Sequence, residues 1–330
     1  MAIIEIGSHY AKFELEHATD NKLKGKWIRT NKDDYIVSLT GDKTNLKLYS
    51  KKYEQKSSAL NLSGRWKIKL NDEGKYGLGN FTQKGSRVKG TILTTTGDYR
   101  FLDGAIEKNT LTLYGFDGVF SFVFKVVVQA DQFTGMMYSG NSYNTKISAV
   151  RDELFELESA TAMTKSTAKK MDKFDYVDIS GEKVNFDSEE YKGKAKVIQL
   201  FGSWCPNCID ETNFFTKWMK QNPAKLNHVK FIALSFENTK TKKEAIKNLV
   251  KVKRKLAMNY PLVLIDFDKS VKATEIIPLD KVRSFPTTIF LNRENEIIKI
   301  HTSFAGQATG EFFLNFVFDF NETITNMIKE

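Results

Sequence analysis

Two side chains in this 330-residue chain can carry thiol chemistry, Cys205 and Cys208, its only cysteines. They lie in the run Gly202-Ser203-Trp204-Cys205-Pro206-Asn207-Cys208. Two intervening residues allow a reversible disulfide, provided a neighbouring element activates one sulfur. The preceding apolar run Val197-Ile198-Gln199-Leu200-Phe201 predicts a buried strand. From Pro206 onward, Ile209, Phe214, Phe215, Trp218 and Met219 recur at helical spacing. Cys205 therefore falls at a helix N-terminus, where free N–H groups and the positive end of the dipole favour a thiolate. The thiolate is the nucleophile, so a depressed pKa raises the reactive fraction near neutrality. Pro206 suits the first helical turn, where a proline forfeits no hydrogen bond.

Two other uses of such a pair compete. A zinc site would need two more ligands; no third cysteine exists, and His9, His17, His228 and His301 are scattered singly. No metal site is expected. A purely structural disulfide would close a very short loop and restrict little chain entropy. A redox-active dithiol is the favoured reading.

Downstream lie further readable segments. Val229 to Phe236 predicts a second buried strand, Lys242 to Ala257 a basic amphipathic helix, Tyr260 to Asp266 another strand, and Glu296 to Ile300 a strand before a final helix from about Thr309 to Lys329. The hairpin-like lead-in Phe174 to Val184, the C-x-x-C and the segment Ser284-Phe285-Pro286-Thr287-Thr288 complete a recognisable order. From about Phe174 to the C-terminus the chain resembles the thioredoxin superfamily, and more closely its TlpA/ResA-like branch of exported thiol-disulfide oxidoreductases. The resemblance covers roughly half the chain. It implies an α/β thioredoxin-like fold with the branch's insertion, no cofactor, and a cis proline at Pro286 that lies against the dithiol and shapes the substrate groove. By the same resemblance the backbone of Phe285 pairs with a bound peptide, while Trp204, Pro206 and Pro286 shape the contact surface.

The branch places a glutamate three residues after the second cysteine, here Glu211. Cys208 and Glu211 are i, i+3 neighbours on a helix, so the carboxyl can hold or relay the proton that moves as the cysteines open and close. The bland alternative is a solvated glutamate near a helix N-terminus. The sequence departs from thioredoxins proper at Gln199, where they carry a buried aspartate; an amide takes no proton, which gives Glu211 more weight. The inner pair Pro206-Asn207 replaces Gly-Pro, and the proline that many relatives carry soon after the glutamate is missing at Thr212-Asn213.

The other half of the chain alternates in short runs. Tyr35–Leu39, Leu46–Tyr49, Trp66–Leu70, Leu111–Tyr114 and Val119–Phe124 are separated by Thr40-Gly41-Asp42, Asn71–Gly74, Thr96-Gly97-Asp98 and Glu107-Lys108-Asn109. About ten antiparallel strands fit between His9 and Val150, which predicts a closed or nearly closed barrel-like domain. Two Gly-x-Trp units, Gly25-Lys26-Trp27 and Gly64-Arg65-Trp66, give it a weak likeness to lipocalins; a tryptophan at a barrel end more often plugs the core than lines a ligand site. Leu154, Phe155 and Leu157 suggest a short helix, and the small, polar and basic stretch 159–170 has linker composition. The expected domains are 1–150 (antiparallel barrel-like), 151–172 (helix and linker) and 173–330 (thioredoxin-like).

The net charge of +10 comes mainly from lysines spread along the chain. Without a recognised reading element it does not point to nucleic acid, although it favours acidic partners or an anionic surface. No apolar run is long enough to span a membrane. The first residues are too short and too charged for a signal peptide. The resemblance to exported proteins then suggests a mature, periplasmic or otherwise exported form, with a signal (of lipoprotein type in one version) removed. A cytosolic protein is the alternative. The expected function is reduction of disulfides in exported protein substrates, with a membrane thiol-transfer donor implied by the resemblance. The rivals are a ligand- or partner-binding barrel with an accessory thioredoxin domain, and a scaffold whose dithiol stays oxidised. A peroxiredoxin is discounted, because Gly202 stands where those enzymes need threonine.

Overall fold

The computed structural model describes residues 2–5, 11–30, 35–43, 51–71, 74–140 and 142–329. The chain divides into two compact units that part mainly between Leu157 and Glu158; Thr95–Gly97 group with the second unit and Gln307–Thr309 with the first.

The first unit is β-rich. Strands β1 (Ala2–Glu5), β2 (Ala11–Thr19), β3 (Lys22–Arg29) and β4 (Ile36–Asp42) form an antiparallel sheet in that order. A short helix α1 (Lys51–Gln55) precedes β5 (Gly64–Lys69), β6 (Tyr76–Lys84), β7 (Arg87–Thr94), the two-residue β8 (Gly97–Asp98), β9 (Leu102–Glu107), β10 (Thr110–Phe116), β11 (Ser121–Gln129), β12 (Gln132–Ser139) and β13 (Tyr143–Arg151). Eight of these, all but β8, bond in chain order, and β13 closes onto β5 from Ser148–Lys69 to Arg151–Trp66. Closure removes the edges an open sheet would expose. Inward positions alternate with period two, as Phe122, Phe124, Val126 and Val128 show on β11. With Trp66, Phe81, Phe133 and Ile147 they fill the barrel interior. Trp66 is fully buried and donates its indole N–H to the Leu62 carbonyl at 2.9 Å, so it plugs the core.

The barrel thus has eight strands instead of about ten, because the first strands form a sheet of their own. Local alternation reveals a strand but not its partner. Thr40-Gly41-Asp42, expected as a turn, continues β4. His9 and the expected strand Leu46–Tyr49 lie outside the described residues.

No helix forms at Leu154–Leu157; the chain runs there as turns and irregular backbone. The expected linker is divided between the units. Arg151 donates to the Ser63 and Asn61 carbonyls, which ties 151 to the barrel. Beyond Glu158 the chain is docked on the second unit: Thr302 N–H donates to the Ala160 carbonyl, isolated bridges join Ser166 to Leu279 and Lys170 to Glu296, and Met163 and Met171 are buried.

The second unit begins with a hairpin, β14 (Asp175–Val177) and β15 (Lys183–Asn185). Then come β16 (Ala195–Phe201), α2 (Pro206–Gln221), β17 (Val229–Phe236), α3 (Lys242–Lys255), β18 (Leu262–Asp266), α4 (Ala273–Ile276), β19 (Thr287–Leu291), β20 (Ile297–Thr302) and α5 (Glu311–Lys329). The sheet order is β18-β17-β16-β19-β20, with β16–β17 and β17–β18 parallel and the other pairs antiparallel. This is a thioredoxin-like α/β fold with a mixed sheet. Every residue of β16 is buried, as a central strand covered on both faces requires. Val197 and Phe201 face the core shared with α2 and α5, while Ile198 and Leu200 face the core under the hairpin.

Phe320 sits at the centre of the first of these cores, with ring centroids 5.5 Å from Phe215, 5.4 Å from Trp218 and 5.8 Å from Phe290. Replacing it by alanine deletes buried area and leaves a cavity, so Phe320→Ala should destabilise this unit by about 3–5 kcal/mol, read as a lower denaturant midpoint. A loss below about 1 kcal/mol would show that the aromatic cluster is not a packed core.

Candidate active site

Strand β16 delivers the chain to a tight loop, Gly202-Ser203-Trp204, and α2 starts at once. A side chain at Gly202 would collide with the Trp204 ring, since an added Cβ would lie 2.5 Å from its Nε1. Glycine therefore lets the indole fold back, where its N–H donates to the Phe236 carbonyl at 2.9 Å. Ser203 is fixed by one buried carboxylate: its N–H donates to Glu237 Oε1 at 2.8 Å and its hydroxyl to Glu237 Oε2. Ser235 donates to the same Oε1 at 2.7 Å. The end of β17 thus anchors the loop that presents the first cysteine.

Cys205 is the N-cap of α2 and Pro206 opens the helix, as the sequence predicts. The Cys208 N–H donates to Cys205 Sγ at 3.1 Å, so the sulfur occupies the position that a capping oxygen usually takes. Cys205 and Cys208 form a disulfide with Cα atoms 5.3 Å apart. Cys208 is sealed at 0% exposure, and Cys205 keeps 4%. The Phe285–Pro286 peptide bond is cis, and the Phe285 carbonyl oxygen lies 3.4 Å from Cys205 Sγ. The Phe285 ring packs on Trp204 with centroids 5.6 Å apart. Beside these two rings opens a cleft of about 610 Å³, walled by Phe236, Val271 and Val282 and bordered by Lys269, Lys272 and Lys281.

Glu211 is fully buried. It belongs to the inward stripe of α2 with Cys208, Thr212 and Phe215, at the i, i+3, i+4 spacing of a core-facing helix. Its carboxyl accepts from Gln199 Nε2 at 2.8 Å and from Thr288 Oγ1 at 2.9 Å. Burial pushes its pKa up to about 8, against the two donors, which favour the charged form. Thr212 Oγ1 donates to Gln199 Oε1 at 3.1 Å. All the residues singled out from the sequence, Cys205, Cys208, Glu211, Trp204, Pro206, Phe285 and Pro286, therefore converge on the start of α2. Sequence reasoning missed Thr288 and the Glu237 anchor. Thr288 was legible only as a residue just after the proline, and nothing local ties Glu237 to Ser203. Among the described residues no cluster of three or more His, Cys, Asp or Glu side chains could hold a metal ion.

Residues 166–309 match the Redoxin family model. The chain is 25% identical over 121 residues to the sporulation thiol-disulfide oxidoreductase A of Bacillus subtilis, a match that takes in 37% of this chain and spans 65% of that relative's length. It is 26% identical over 141 residues to the thiol-disulfide oxidoreductase ResA of the same organism, covering 42% and 69% respectively. A solved thiol-disulfide oxidoreductase from Bacteroides fragilis is 15% identical, with a TM-score of 0.34, and covers 46% of this chain and 99% of its own. The segment 166–309, which holds the disulfide, the buried glutamate and the cis proline, is a Redoxin domain.

Proposed function

We propose that the protein is a thiol-disulfide oxidoreductase that reduces disulfides in protein substrates. The observation that carries this reading is a cysteine pair at the N-terminus of α2 whose outer sulfur lies against the cis Phe285–Pro286 peptide. In the reduced enzyme, the helix N-terminus stabilises the Cys205 thiolate. Cys205 attacks one sulfur of the substrate disulfide; the other leaves with the bonding electron pair and takes a proton. Cys208 then attacks Cys205 Sγ, which closes the enzyme disulfide and expels the second substrate thiolate. Two electrons pass to the substrate, and a donor must return them. Glu211 accepts the proton of Cys208 as the ring closes and returns it when the ring opens. Trp204, Pro206, Phe285 and Pro286 form the surface on which the substrate lies.

The curated relatives that the chain resembles are named for this activity, which supports the assignment. A periplasmic or otherwise exported location, a lipoprotein anchor and a membrane thiol-transfer donor belong to the same proposal. No described helix is long and apolar enough to cross a membrane. Of the rival, a ligand- or partner-binding barrel with an accessory redox domain, the version with a ligand held inside is disfavoured by the packed side chains that fill the barrel.

The test is the reduction potential of the Cys205–Cys208 couple, equilibrated with dithiothreitol or glutathione buffers. A reductase should lie near or below about −220 mV, and a value near about −120 mV would reverse the direction of transfer.

A further inference from the structure

The two oxygens of Glu211 are not equivalent. Oε2 faces Gln199 Nε2, whose second N–H points toward the Cys208 carbonyl oxygen, 3.5 Å away. In this orientation the amide oxygen accepts from Thr212 Oγ1 at 3.1 Å, whereas turned over it would set an acceptor against the Cys208 carbonyl oxygen. An amide nitrogen only donates, so Oε2 is held as an acceptor and cannot direct a proton at Gln199. Oε1 faces the Thr288 hydroxyl, which both donates and accepts.

We infer that the mobile proton of Glu211 resides on Oε1 and that Thr288 is a positioning residue, whose hydroxyl donates to the carboxylate and turns to accept from the carboxylic acid. The inference rests on the proton-handling role proposed for Glu211 and adds its route. When the enzyme disulfide closes, the Cys208 proton passes to Oε1, the Cys208 sulfur bonds to Cys205 Sγ, and the Cys205–substrate bond breaks with its electron pair on the substrate sulfur. Charge is conserved: one carboxylate becomes neutral as one substrate thiolate leaves. Gln199 plays the complementary part, tying the carboxyl to the backbone of the cysteine it serves.

Around this site the titratable groups are few. Cys208 lies on the same helix. Tyr260, just before β18, is buried, and its hydroxyl is held neutral by that burial. His301 stands opposite Thr288 across β19 and β20 and donates from Nδ1 to the Ser303 carbonyl at 3.1 Å; burial pushes its pKa down to about 4. None of these carries charge near pH 7 in the oxidised protein.

The experiment compares Thr288→Val, Thr288→Ser and Glu211→Gln in the full chain. Two readouts serve: the rate at which a preformed Cys205 mixed disulfide with a model peptide resolves as a function of pH, and the infrared carboxyl band that Glu211→Gln abolishes. Thr288→Val, nearly equal in volume, should slow resolution about tenfold at pH 7, raise the midpoint of its pH profile and shift the carboxyl band. Thr288→Ser should restore all three. A Thr288→Val protein with wild-type rate and band overturns the inference. So does a serine variant that behaves like the valine one, since the hydroxyl would then not be the active feature. If Glu211→Gln itself leaves the pH profile unchanged, the proposed role of Glu211 fails, and the inference with it.

Discussion

Glu211→Gln should make the oxidised protein more stable, by an amount that grows as the pH rises from about 4.5 to about 8. An unfolded glutamate ionises near 4.5, whereas burial holds the folded one near 8. Between these values the folded chain keeps a proton that the unfolded chain has released. Unfolding therefore releases a proton, and stability falls as pH rises through the window. Below about 4.5 both states are protonated and Glu211 costs nothing by this route. Above about 8 the whole difference applies, roughly 4–5 kcal/mol as an order of magnitude. Glutamine resembles the protonated acid: its oxygen accepts from Gln199 and its N–H donates to Thr288. The two proteins should match near pH 4, and the variant should gain several kcal/mol by pH 9, read from denaturant midpoints. His301 works in the opposite sense. Burial lowers its pKa from 6.5 to about 4, so its contribution is present above 6.5 and is lost as pH falls toward 4. Subtracting the variant's curve from the wild type's removes that background. A constant difference at every pH would mean that Glu211 is not a buried, protonated acid.

Cys208→Ala should trap the substrate. With the resolving sulfur gone, attack by Cys205 stops at the mixed disulfide, and one substrate molecule stays bound per enzyme. Cys205→Ala should trap nothing, because Cys208 is sealed beneath the loop. Labelling of Cys208→Ala by a disulfide reagent should exceed that of Cys205→Ala by about a hundredfold, a ratio set by access and thiolate fraction. Mass spectrometry of intact protein gives both stoichiometry and rate. Equal labelling of the two variants would sink the assignment of Cys205 as the nucleophile.

How much of this was legible in the residues depended on range. The C-x-x-C, the first turns of the helix it caps and Glu211 sit within seven residues of chain, and their relations follow from helical spacing. Pro286 could be matched because a short motif surrounds it. The Ser203–Glu237 anchor spans 34 positions and exists only because β16 and β17 run in parallel register; no local pattern encodes it. The stretch 159–170 reads as a linker by composition, yet its backbone bridges to Leu279 and Glu296 hold it down. Leu154, Phe155 and Leu157 are apolar without a helical stripe, and Leu154 is 90% exposed. In the first unit, alternation marked strands at Trp66 and at Leu111–Tyr114 but could not say that β2 and β3 pair with β1 and β4 in a separate sheet.

The supports of the dithiol have a distribution that matters for tuning. Ser203 is held by Glu237, Trp204 by the Phe236 carbonyl, and the Phe285 carbonyl approaches the outer sulfur. None of these three residues lies between the cysteines. Asn207 can therefore change, and with it the electron affinity of the couple, while Pro206 keeps its place in the contact surface and the nucleophile stays presented at the same angle. Poise and aim are separately adjustable in this scaffold, so a library confined to position 207 would sample driving force at nearly constant geometry.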